Sequence, residues 1–87
     1  MKIPNLPSQA QSALILSVIK THLFTLGKEY LAWDILGARL KDWKCILLIS
    51  SPIAKTEVSF ILRDLQEVLL TRGFLYTLQL RLSTWNT

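Results

Sequence analysis

One cysteine, one histidine and six carboxylates are the groups in this chain that could carry covalent or acid–base chemistry. A nucleophilic thiol needs exposure and a lowered pKa. Cys45 instead stands in Cys45-Ile46-Leu47-Leu48-Ile49, an unbroken apolar run where a thiol behaves as a small core residue. His22 falls inside an apolar helical arc between Leu14 and Leu23, which predicts a histidine satisfied by a backbone carbonyl or held at an interface rather than a general base. A metal centre wants three or four ligands, and a single His with a single Cys falls short. Gly27, Gly37 and Gly73 are isolated, so neither a phosphate loop nor a dinucleotide fingerprint is present. The expectation is a chain that is no enzyme, holds no metal or cofactor and takes no small-molecule substrate.

Binding chemistry is better represented. The formal net charge is +4 and the isoelectric point is near 9.6, the footprint expected of a protein that meets polyanions. Arg39, Lys41 and Lys44 crowd around Trp43, and cations beside an aromatic ring can hold phosphates while the ring stacks a base. Asp42 interrupts the cluster. A winged-helix arrangement is disfavoured, because the helix ending near Arg72 carries Glu57, Asp64 and Glu67 on its wet side, where they repel phosphate.

These groups must be positioned by a strand–helix–strand unit running from Trp43 to Trp85. The all-apolar run at 45–49 reads as a central strand covered on both faces. From Phe74 to Thr84, apolar residues alternate with Thr77, Gln79, Arg81 and Ser83, which reads as an edge strand with one wet face. Between them, Ser51 can cap a helix, Pro52 suits its first turn and Gly73 can end it. On that helix Val58, Ile61, Leu62, Leu65, Val68 and Leu69 fall on one arc of about 120°, with Gln66 among the residues opposite. Phe60 and Leu70 interrupt this pattern.

Upstream, residues 1–7 read as a proline-punctuated extended arm. A helix follows from Ser8 to about Leu26 and stops at Gly27; its apolar residues spread over about 200°, so it should be covered on two sides. Residues 28–43 have helical propensity, yet a two-stranded sheet is too small to stand alone. They are therefore expected to supply a strand that hairpins into the central one, although no Gly or Asn marks the turn. The fold class is α+β: one domain over residues 8–87, ordered helix–strand–strand–helix–strand, with a three-stranded mixed sheet. The alternative makes residues 28–43 helical, giving helix–helix–strand–helix–strand.

The chain is 51% apolar and 18% charged over 87 residues, more apolar than a small isolated domain needs. The first functional expectation is therefore a non-catalytic protein-interaction module, acting as a small subunit, adaptor or regulator in a homo-oligomer or larger assembly. Its expected contacts are Phe60, Leu70, Gln79, Arg81 and Trp85, since exposed aromatics and arginine anchor interfaces. The alternative is a small basic nucleic-acid-binding protein using Arg39, Lys41, Trp43 and Lys44. A membrane-surface role is disfavoured, because the polar strip of the first helix holds only Lys20 where interfacial helices carry many cations. The apolar run at 13–19 is too short to span a bilayer. It also makes a poor leader, because only Lys2 precedes it as a cation, prolines stand at 4 and 7, and no small-residue cleavage site follows. One cysteine fits a reducing compartment, so a cytoplasmic location is expected.

Overall fold

The structure, a computed structural model, describes residues 8–83. The expected arm at 1–7 and Trp85 lie outside the described residues. The order is α1 (Ser8–Thr25), α2 (Glu29–Ala32), β1 (Ile35–Lys41), β2 (Lys44–Ile49), α3 (Pro52–Phe60), α4 (Leu62–Thr71) and β3 (Thr77–Leu82). The α+β class and the three-stranded mixed sheet are as the patterning requires. The sheet order is β1-β2-β3, with β2 central, antiparallel to β1 and parallel to β3. Residues 28–43 divide between the short α2 and β1, so only part of that stretch follows its helical propensity.

Local chemistry explains most boundaries. Gly27 adopts φ 72°, which ends α1 without the penalty a side chain would meet there. The Ser51 hydroxyl accepts from the Ala54 amide at 3.1 Å, and Pro52 opens α3, where its missing N–H costs nothing. The single helix expected from Pro52 to Arg72 is instead two, parted at Ile61, whose φ and ψ (−113°, 13°) are not helical. The Thr56 and Ser59 hydroxyls donate back to Pro52 and Thr56 carbonyls just before the break, a pairing that competes with regular helix and bends it. The edge strand is also shorter than its alternation suggests: Phe74 is buried ahead of it, and pairing begins only at Thr77.

All the larger helices lie on one side of the sheet. Ile15, Ile19 and Leu23 form a stripe along α1 that meets Leu65 and Leu69 of α4, Val58 of α3, and Cys45, Leu47 and Ile49 of β2 in one buried cluster. α1 meets the sheet through β1 and the helical layer through α4 and α2, as its broad apolar arc requires; Leu16 and Val18 pack beside the stripe, while Leu14 and Phe24 remain exposed. One expectation is corrected here: among the described residues β2 has helices on one face only. Cys45, Leu47 and Ile49 are buried, whereas Ile46 and Leu48 point to the helix-free side and are half-buried. An unbroken apolar run looks the same in sequence whether its second face meets helices or only the stems of long neighbours.

The register of β1 contains a bulge. Ile35 pairs with Ile49 but Gly37 pairs with Leu48, which leaves Leu36 as an extra, exposed residue. A one-residue insertion exchanges the faces of everything beyond it. Ile35 faces the core before the bulge; Ala38 and Leu40 face it afterwards, and Arg39 and Lys41 turn outward.

The one-sided sheet has a direct test. Leu47→Ala should cost about 2–5 kcal/mol in urea unfolding, as buried leucines do. Leu48→Ala, one residue along on the open face, should cost well under half as much. Equal losses would show that something covers both faces.

Candidate nucleic-acid interface

The helix-free face of the sheet is a three-by-three array fixed by strand register. Lys41, Lys44 and Thr77 form the row nearest the hairpin tip; Arg39, Ile46 and Gln79 form the next; Gly37, Leu48 and Arg81 form the third. The four cations and the two polar residues are exposed, around a half-buried aliphatic centre. None of the three strands contains a carboxylate. The ion-pair contact found among the described residues, His22 to Asp64, lies in the helical layer, so none of these four cations is neutralised by a described neighbour.

Charge is segregated between the two sides. Outside the array and the hairpin turn, the described residues carry Lys20, Lys28, Lys55, Arg63 and Arg72 against Glu29, Asp34, Glu57, Asp64 and Glu67, which balance. Asp42 in the turn offsets Lys2, which lies outside the described residues. The formal net charge of +4 therefore equals the charge of the outer sheet face. Lys41 and Lys44 stand directly opposite one another across the hairpin. Like charges in cross-strand register are destabilising, and an anion placed between them removes that cost.

The tip itself is strained. Asp42 and Trp43 make a two-residue turn with φ 51° and 64°, the conformation that hairpins normally assign to Asn-Gly. Aspartate tolerates it; a tryptophan there is disfavoured by its Cβ. Trp43 is nonetheless 70% exposed, so burial does not compensate for the strain. Its ring packs against Tyr76 with centroids 5.8 Å apart and planes at 36°. Tyr76 is tied at both ends: its hydroxyl donates to Gln11 Oε1 at 2.8 Å, and its carbonyl accepts from Gln66 Nε2 at 2.6 Å. Gln66 also accepts from the Leu78 amide at 2.8 Å. The Thr77 amide turns the other way, to the Trp43 carbonyl at 2.9 Å. Gln66 thus meets the main chain on the free edge of β3, where a fourth strand would otherwise pair.

Arg39, Lys41 and Lys44, grouped from sequence, do share one face. Arg81 and Gln79, assigned from sequence to a protein contact, join them there. Trp43 does not: it stands in the turn with its ring against Tyr76, whose side chain packs on the core side of the sheet. The five residues expected to form one protein interface are split, because Phe60 (81% exposed) and Leu70 (48% exposed) belong to α3 and α4 on the opposite side of the sheet from Gln79 and Arg81. Sequence reasoning missed Tyr76, Asp42 and Gln66. The β3 alternation held the signal for Tyr76, whereas Gln66 was read as a wet-face residue because a glutamine clasping a strand edge has no periodic signature.

The groups considered for chemistry are otherwise engaged. His22 Nε2 lies 2.6 Å from Asp64 Oδ2, bracing α1 against α4; of the two expected settings, a backbone carbonyl or an interface, it takes the second, between two helices of the chain. Cys45 is buried, and desolvation pushes its thiol up from 9.0 to about 11. Among the described residues no three His, Cys, Asp or Glu side chains gather as a metal site would require, and no helix is long and apolar enough to cross a membrane. Comparison with family models, with curated proteins and with solved structures finds no match to this chain.

Two outcomes follow from this geometry. Trp43→Gly removes the left-handed strain while losing one ring contact, worth about 0.5–1.5 kcal/mol. Its unfolding free energy should therefore stay within about 1 kcal/mol of the wild type; a loss above about 2 kcal/mol would make Trp43 a structural residue. Cys45 should resist a thiol reagent at pH 8.5 in the folded protein and react on unfolding. Because the folded thiol keeps its proton where the unfolded one ionises, stability should also fall as pH rises from 9.0 towards about 11.

Proposed function

We propose that this protein binds nucleic acid across the outer face of its sheet. The observation that carries the reading is the confinement of the net positive charge to an open, carboxylate-free face with an aliphatic centre. Arg39, Lys41, Lys44 and Arg81 contact phosphates; arginine brings a planar fork and lysine a mobile point charge. Ile46 and Leu48 give bases an apolar floor, and Gln79 and Thr77 supply neutral hydrogen-bonding groups. A flat sheet face receives an extended single strand more readily than a duplex groove, which calls for an inserted helix or ribbon.

The test is titration of a labelled single-stranded oligonucleotide at two salt concentrations. Four phosphate contacts predict a log–log salt slope of roughly −3, so affinity should fall about 50-fold between 50 and 200 mM salt. The double change Arg39→Glu with Lys41→Glu should abolish binding while leaving the circular dichroism unchanged. Binding that ignores salt, or survives that double change, would sink the proposal.

A second reading keeps the helical layer as a protein-docking side. It is favoured by Phe60, whose ring stands 81% exposed at the end of α3, and by the exposure of Leu70, Phe24 and Ile53. In this reading the chain acts as a small subunit, adaptor or regulator, in a homo-oligomer or with another protein. Light scattering of wild type against Phe60→Ser addresses the homo-oligomer: a higher mass lost in the variant supports it, and a wild-type monomer at all concentrations removes it.

A further inference from the structure

We infer that the hairpin tip takes one unpaired guanine from the strand held on the outer face, an inference that rests on the nucleic-acid reading above. A cleft of about 230 Å³ opens at the tip, lined by Leu40, Lys41, Asp42, Trp43 and Tyr76. Trp43 has one ring contact, with Tyr76, and remains largely open, so a planar group has a surface to stack on. That surface is preorganised: Tyr76 is fixed by Gln11 and Gln66, and the Trp43 carbonyl is held by the Thr77 amide. A tryptophan kept in a left-handed turn, exposed and beside two lysines, fits a stacking platform better than a fold-stabilising residue.

Asp42 determines which part of the strand enters. Asp42 is one of the lining residues, and a carboxylate is an acceptor only, so it repels a phosphate and attracts hydrogen-bond donors. Phosphates stay with Lys41 and Lys44 outside, and a base comes in. A carboxylate accepts best from two adjacent donors. Guanine has that arrangement, with N1–H beside its exocyclic amine on the pairing edge. Adenine and cytosine each present one amine beside an acceptor, and thymine or uracil a single N–H between two carbonyls.

The experiment measures anisotropy of labelled oligothymidylates of about ten nucleotides with guanine, adenine, cytosine or thymine at the centre. The wild type should bind the guanine strand about 5–10-fold tighter than the other three. Asp42→Asn, which suits the left-handed turn, should bring all four within about twofold of one another. Trp43→Gly should weaken all four about tenfold. Equal binding of the four strands by the wild type, or a guanine preference that survives Asp42→Asn, would overturn the tip assignment while leaving the sheet face as a binding surface. Failure of every strand to bind even at low salt would remove the sheet-face reading and the tip with it.

Discussion

The extra residue at Leu36 governs what this molecule offers to its surroundings. Strand side chains alternate strictly, so a regular β1 starting with Ile35 in the core would drive Gly37, Arg39 and Lys41 inward and lift Ala38 and Leu40 into water. Burying two unpaired cations against Ile15 and Leu47 would cost far more than a small domain's whole stability margin. The bulge exchanges the two faces within one step, and its neighbour Gly37 is the outward residue that follows it. From that point the outward positions of β1 are cationic, the Asp42–Trp43 turn carries the parity into β2, and Lys44 joins Arg39 and Lys41. The parallel pairing of β3 adds Arg81 through Leu48. One local irregularity therefore converts scattered charges into a single surface.

How far this was legible in the sequence depends on the scale of the signal. The central and edge strands, the Ser51 cap and the stop at Gly27 are dictated by residues within a few positions, and all are present as the patterning requires. The grouping of Arg39, Lys41 and Lys44 was visible too, since a hairpin brings its flanks together. Arg81 was not, because its place beside Leu48 depends on a crossover of about thirty residues and on the register at its far end. The bulge was illegible for another reason: Leu36 and Gly37 are ordinary strand residues when read singly, and only the pairing reveals the insertion. The break at Ile61 escaped because apolar spacing continues through it, with Val58, Leu65 and Leu69 all buried on the same side.

The hairpin tip shows a conflict between local preference and observed conformation. Asn-Gly would hold this turn at less cost than Asp-Trp, and Lys41 facing Lys44 adds repulsion next to it. Such conflicts persist where the surroundings override them. Here Tyr76 packs on the indole, and the Trp43 carbonyl is used by Thr77 to start the parallel ladder. The same contacts that hold the strained turn also orient the indole, so its placement derives from the fold.

The apolar excess and the charge excess of this chain reside on opposite sides, and that separation bears on how the two functional readings relate. A three-stranded sheet gives the three larger helices one shared floor, which leaves Leu14, Phe24 and Phe60 exposed. The other side of the same sheet carries cations around Ile46 and Leu48. A polyanion on the sheet face would leave the helical layer unobstructed, and a protein seated on Phe60 and Leu70 would leave the cations free. Competition between the two partners is therefore not built into the architecture. Screening separates them further: contacts to phosphate weaken steeply with salt, whereas burial of Phe60 against an apolar neighbour does not. Salt dependence thus reports which side of the sheet a bound partner occupies, without requiring its identity.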